Sequence, residues 1–354
     1  MRMLLRCGVS LFLLGAMALV PFASAQTQQK SWPVRAVIVA TFEIGADTGD
    51  APGEFQFWVE REHLDQVVDF PGGERPLRTN KDHTVLGMVS GTTLVNATAS
   101  MMALGLDPRF DLTHAYILIN GIAGGDPKTT SLGSAVWADY VINDVAREID
   151  PREAPADWPY GIFPVGSTAP NPLALSPTLW FSSNLYPLNP KLTAWAFAQT
   201  RDLKLGDEAS AAEFRAAFKE FPTAQKPPFV MIGATFASDT FWHGAILTQY
   251  ARDWVRLQTG SRGTFATTEM EDSGFMNAIQ RLSAMHRVDA NRVMVLRSVS
   301  NYTEPRPGQT AIDSVTSPYK GLRMALESAY LCGSTVLHTI LAHWDTAYAK
   351  IPGE

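Results

Sequence analysis

Glu269-Met270-Glu271-Asp272 gathers three carboxylates around one methionine, between a threonine-rich stretch and a helical one. Carboxylates facing a cleft suit sugar hydroxyls, since each accepts several hydrogen bonds. The same acids at a helix start would equally well serve the helix dipole. Gly121-Ile122-Ala123-Gly124-Gly125 is the second feature. Glycines there let the backbone approach a ligand closely, or simply make a tight turn. No Gly-Lys-Ser/Thr follows, and the spacing is not that of a dinucleotide fingerprint. The seven histidines, at 63, 83, 114, 243, 286, 338 and 343, form no HExxH pattern. No serine sits in a G-x-S-x-G elbow. The sequence therefore predicts no metal, no cofactor and no serine-hydrolase triad.

The elements that must position these residues follow from hydrophobic patterning. Residues 34–42, 84–89, 114–120, 134–141, 229–235 and 292–299 read as buried strands. Residues 94–106, 211–221, 246–258, 273–281 and 321–348 read as helices, and 150–190 as an extended Pro- and aromatic-rich loop. Strands alternating with helices imply a largely parallel sheet covered on both faces. In such sheets ligands bind beyond the carboxyl ends of the strands. That places weight on Glu43, Gly91-Thr92-Thr93, Asn120 to Gly125, Ser238 to His243 and Ser300-Asn301.

Composition narrows the function classes. The chain has 354 residues, 46% hydrophobic, with a net charge of −6 and no basic block, which argues against nucleic acid or anionic membrane as main partner. Arg2 and Arg6, the apolar run Cys7–Val20 and Ala23-Ser24-Ala25 read as a secretory signal peptide cleaved after Ala25. The expectation is a secreted, periplasmic protein: residues 1–25 a signal peptide, residues 26–354 one domain. Its one remaining cysteine, Cys332, sits in an apolar helical stretch and reads as core. Asn96 and Asn301 head glycosylation sequons but lie where structural or functional roles are expected, so neither is expected to be modified.

The order of the pieces is more specific than any one of them. Ser90–Ile142, with its glycine-rich turn, Ala-rich helix and strand ending Asn-Gly-Ile-Ala-Gly-Gly, resembles the nucleoside phosphorylase and nucleosidase superfamily. Leu132-Gly133-Ser134-Ala135-Val136, Glu269-Met270-Glu271 and Arg297-Ser298-Val299-Ser300-Asn301 resemble further segments of it. Ser238-Asp239-Thr240-Phe241-Trp242-His243-Gly244 and Ser300-Asn301-Tyr302 look most like the purine nucleoside permease family, over residues 33 to 350.

The resemblance implies a three-layer α/β/α fold with a central mixed, barrel-like sheet, and a purine nucleoside ligand. It implies that Met270 and Glu271 hold the ribose, with Glu269 beside them. Gly91, Thr92, Asn120, Gly124 and Asp239 would line the site. Phe241 and Trp242 would edge the base, and Phe163 or Tyr160 would close it. Asn301 stands where many members carry an Asp that protonates purine N7; an amide can only hydrogen-bond the base. Nucleosidases of the superfamily use a Glu after the first strand to activate water, and Glu43 lies in about that place. The arginine with which phosphorylases clamp phosphate is missing before the glycine-rich turn, though Arg35, Arg147 or Arg297 could compensate. Three functions follow: a purine nucleoside hydrolase, a non-catalytic nucleoside-binding component of uptake with a membrane partner, and, least favoured, a phosphorylase with phosphate as second substrate. Superfamily members also lead one to expect a homo-oligomer.

Overall fold

The computed structural model describes residues 31–165 and 184–353. The expected signal peptide, residues 1–25, lies outside the described residues, as does part of the expected 150–190 loop. The strands are β1 (Trp32–Pro33), β2 (Ala36–Ala40), β3 (Gln66–Val68), β4 (Leu77–Thr79), β5 (Val85–Val89), β6 (Phe110–Asp111), β7 (Tyr116–Gly125), β8 (Ala135–Asn143), β9 (Ala146–Glu148), β10 (Ile162–Pro164), β11 (Leu185–Pro187), β12 (Val230–Ala237), β13 (Phe265–Glu269) and β14 (Val293–Tyr302). The helices are α1 (Gln56–Arg61), α2 (Leu94–Leu106), α3 (Pro190–Thr200), α4 (Ala209–Arg215), α5 (Ala245–Thr259), α6 (Asp272–Ala284), α7 (Ala311–Val315) and α8 (Leu322–Ala342).

β2 and β7 are apolar on both faces, and successive side chains feed opposite cores, as the pleat requires. Val37, Val39, Ile117 and Ile119 pack with Met101 and Leu104 of α2 and Phe275, Ile279 and Leu282 of α6. Ala36, Ile38, Tyr116 and Leu118 pack with Val336, Leu337 and Ile340 of α8. A third cluster joins Phe236 of β12 to Tyr250 and Trp254 of α5. Helices thus cover both faces of one sheet. Among the described residues no helix is long and apolar enough to cross a membrane.

The main sheet runs β11-β8-β12-β13-β7-β2-β5-β4-β3, and β14 joins both β7 and β8. That double pairing closes a ring of β7, β13, β12, β8 and β14. Pairing around it is mixed: β14 is parallel to β7 and antiparallel to β8. The sheet is therefore mixed and barrel-like, as the resemblance implied, and not the largely parallel sheet that strand–helix alternation alone suggested.

The expected glycine-rich turn is a strand. Gly121 to Gly125 continue β7 and pair with Arg297 to Tyr302. Glycine is required here by crowding: a Cβ at Gly125 would lie 2.5 Å from Val299 Cγ1, and one at Gly121 only 2.6 Å from Arg297 Nη1. β14 slips register against β7 between Val299 and Asn301. Such irregularities re-aim side chains, and this one falls where the strand meets the cavity described next.

Candidate functional site

A cavity of about 330 Å³ opens beyond the carboxyl ends of β2, β12, β13 and β14. Thr41 and Phe42 follow β2, Glu54 precedes α1, and Ile122 to Gly124 belong to β7. Thr268 to Glu271 contribute from the end of β13, and Thr240, Phe241 and Trp242 from the loop after β12. Ser300, Asn301 and Thr303 complete it from the end of β14, with Tyr319 beside them.

Two carboxylates define one end. Glu54 Oε2 accepts the Thr41 amide at 2.8 Å and hydroxyl at 2.7 Å, and its Oε1 accepts the Ile122 amide at 2.7 Å. Glu271 Oε1 accepts the Thr93 amide at 3.3 Å, and its Oε2 that of Met270 at 3.2 Å. Thr93 holds a φ of +84°, costly for a β-branched residue, and this strain sits where its amide meets Glu271.

Behind these acids lies Arg297, 1% exposed and carried by β14. Its guanidinium is 3.8 Å from Glu54, 3.7 Å from Glu269 and 3.5 Å from Glu271, and it pairs closely with Asp272. One buried cation thus serves four carboxylates. Burial raises Glu54 above the usual carboxylate range against the pull of Arg297 and its amide partners. Burial likewise pushes Glu271 up to about 7, against the pull of Arg297, with Glu54 and Asp272 adding to the rise. Glu269 is likewise raised well above its ordinary value, by burial and then by Asp272. Glu269 Oε2 also accepts the amides of Glu271 and Asp272 at 2.7 Å each, capping α6. The acidic run is therefore both things at once: a helix start and a cavity wall.

The other end is aromatic and neutral. Phe241 and Tyr319 lie nearly parallel, 8° apart with centroids 6.4 Å apart. Trp242 lines the cavity, and its buried Nε1 has no partner among the described residues. Asn301 Oδ1 accepts the Ser300 hydroxyl at 2.9 Å, and its Nδ2 donates to the Tyr302 carbonyl at 3.2 Å.

Of the residues expected at the site, Thr92, Gly124, Phe241, Trp242, Glu269, Met270, Glu271 and Asn301 line the cavity. Glu43 does not. Its carboxylate accepts the amides of Ile44 (2.8 Å), Phe55 (2.7 Å), Gln56 (2.6 Å) and, in a closer contact, Gly53. With these four acceptor positions filled, it staples a loop and caps α1, and Glu54 is the acid after the first strand that reaches the cavity. Asn120 is also turned away, bonding Trp58 Nε1 at 3.1 Å and the Ala329 carbonyl at 3.0 Å. Asp239 caps α2 through the Leu94 amide at 2.8 Å. Gly91, at φ +82°, shapes the turn before Thr92 without lining the cavity. Phe163 and Tyr160 pack in the α5 cluster, where the Tyr160 hydroxyl holds Asp253 at 2.6 Å.

No Arg, Lys or His lines the cavity among the described residues. Arg35 faces Asp345 at 3.7 Å, Arg147 donates to the Pro164 carbonyl at 3.4 Å, and Arg297 is held by the carboxylates. The described residues hold no cluster of His, Cys, Asp or Glu that could bind a metal ion.

A mixed sheet closed through β14, with an acid-walled cavity at its strand ends, is the phosphorylase/nucleosidase fold. The chain is similar to the Helicobacter pylori 5′-methylthioadenosine/S-adenosylhomocysteine nucleosidase, at 14% identity and a TM-score of 0.52, covering 86% of this chain and 99% of that one. It is similar to the futalosine hydrolase of the same organism at 13% identity and a TM-score of 0.51, covering 86% and 98%. Both likenesses concern the fold. The family model for purine nucleoside permease (NUP) matches residues 33–352. The chain belongs to the purine nucleoside permease family. A Schizosaccharomyces pombe protein carrying that name is 30% identical over 273 residues, 75% of this chain and 78% of its own. A Candida albicans purine nucleoside permease is 30% identical over 275 residues, 75% of this chain and 66% of its own.

Proposed function

We propose that the protein binds a purine nucleoside and cleaves its N-glycosidic bond with water. The observation that carries this reading is the pair Glu54 and Glu271, both lining one cavity and both within 4 Å of Arg297, in a cavity whose aromatic wall carries the unpartnered Trp242 Nε1. Glu271 accepts the ribose hydroxyls, with Met270 against the sugar. Glu54 takes a proton from a water molecule as that water's oxygen bonds C1′. The C1′–N9 bond breaks, its electron pair leaves with the base, and Asn301 and the Trp242 N–H stabilise the departing ring. The surrounding carboxylates favour the positive charge that develops on the sugar. General-base activation is worth roughly 10²–10⁴-fold. A cavity wall without a cation argues for water over phosphate as nucleophile.

A second reading is favoured by the amide at position 301, which donates no proton to a leaving base, and by the family name. In it the same site binds nucleoside for uptake with a membrane partner. The N-terminal residues 1–25 support export in either case. The test is base release from inosine, guanosine and adenosine, with and without phosphate, followed by chromatography. Free ribose and base without phosphate support hydrolysis. Ribose 1-phosphate formed only with phosphate overturns it. Tight binding without turnover favours the uptake reading.

A further inference from the structure

A second cavity of about 290 Å³ adjoins the first and shares Phe241, Asn301 and Tyr319 with it. These three residues stand at the aromatic end, where the proposed function places the base. The second cavity therefore continues from the base, away from the sugar-binding acids. Its character differs. Arg306 and Lys320 line it, and neither forms an ion pair among the described residues. Arg306 only overhangs the Phe214 ring, 5.9 Å from its centroid. The one acid on the wall, Glu304, is already engaged by Arg252 at 3.2 Å. His243 lines it as well, and its buried Nε2 has no partner. A buried ring nitrogen left without a partner is a cost that a ligand group bonding to it would recover.

We propose that this chamber is a subsite for an anionic substituent carried on the nucleobase, so that the preferred ligand is a purine nucleoside with a carboxylate-bearing arm. Phe241, Asn301 and Tyr319, which line both cavities, border the passage the arm takes beside the stacked rings. Arg306 and Lys320 meet its charge, and the His243 ring donates to it. The two cavities are unequal for a reason: acids without a lining cation suit a sugar, and cations beside an already paired acid suit a carboxylate.

The proposal rests on the nucleoside reading, and the experiment separates the two. Adenosine, adenosine carrying a carboxymethyl group on its exocyclic nitrogen, and the matching carboxamide are compared on the wild type and on an Arg306→Gln/Lys320→Gln variant. The quantity read is kcat/KM where turnover occurs and Kd where it does not. The carboxylate is expected to be preferred over the carboxamide by about tenfold in the wild type, a preference that collapses toward unity in the variant. The carboxylate-to-carboxamide ratio is taken within each protein, so any general loss of function cancels. Equal handling of the two arms by the wild type, or a preference that survives the double substitution, overturns the proposal and leaves the nucleoside reading intact. Failure of all three ligands overturns this proposal, and failure of inosine and guanosine beside them overturns the nucleoside reading as well.

Discussion

The Glu54 carboxylate accepts the Ile122 amide at 2.7 Å, which fixes an acid from the loop before α1 against the middle of a sheet strand. This bond crosses 68 positions of sequence, and it holds the Glu54 carboxylate on the cavity wall. Glu54 has both oxygens anchored and still lines the cavity, whereas Glu43 gives all its bonds to its own loop.

The two glutamates should therefore separate cleanly on substitution. Glu54→Gln is expected to lower nucleoside cleavage by roughly 10²–10⁴-fold while leaving the fold intact. Glu43→Gln is expected to lower stability by about 2 kcal/mol through its lost amide bonds, with a much smaller effect on turnover. Denaturant titration and base release on both variants check this; an inactive Glu43→Gln protein of normal stability would reverse the assignment.

Asn301 hydrogen-bonds but cannot donate a proton to a leaving base. Asn301→Asp supplies a carboxyl at the same position. Adenosine cleavage relative to inosine is expected to rise by roughly 10²-fold at mildly acid pH, the low end of what a general acid contributes. The ratio of initial rates reads this directly, and an unchanged ratio would exclude Asn301 from contact with the leaving base.

The raised carboxylates give stability a pH slope. Glu271, moved from 4.5 to about 7, binds its proton more tightly folded than unfolded. Its contribution is fully present below pH 4.5 and is lost as pH rises through about 7, by up to about 1.4 kcal/mol per pH unit in that window. Glu54 and Glu269 are displaced in the same direction. Wild-type protein should therefore melt higher at pH 5.5 than at pH 7.5, and Glu271→Gln should flatten the difference. Thermal melts at the two pH values, in buffers of equal ionic strength, measure it.

Gly121 leaves room for Glu54 and Arg297 to approach each other. A Cβ there would overlap Glu54 Oε1 and lie 2.6 Å from Arg297 Nη1. Gly121→Ala should displace Glu54 and reduce turnover by roughly 10–100-fold, since small misplacements of catalytic groups are costly. Kinetics beside a melting curve separate that from unfolding.

What the sequence carried locally, it carried well. Glu271 and Met270 lie side by side on one tight segment, so their type and spacing suffice to find them. β2 and the first halves of β7 and β14 are apolar runs and needed no tertiary knowledge, whereas the glycine-rich end of β7 and the polar end of β14 did. Glu54 was missed because the loop of residues 44–53 separates it from the strand it serves, and only the fold brings it back beneath Thr41. β13 was read as a threonine-rich approach to the acids, because Thr267 looks polar yet is wholly buried. Tyr319 comes from a loop without any motif, and its partner Phe241 is almost eighty positions earlier. The mixed direction of the sheet, with β13 antiparallel to β7 and β14 antiparallel to β8, is a long-range choice invisible to local alternation.

That double pairing has a mechanical consequence. Leu296, Arg297 and Ser298 are bonded to β7 on one side and to β8 on the other. A segment tied along both edges cannot fray by itself, so its amides exchange with solvent only when the whole ring opens. The guanidinium that gathers the four acids rides on that segment. The free margin at β3 can breathe while the charge cluster stays still, and the site takes its rigidity from the seam where the barrel shuts.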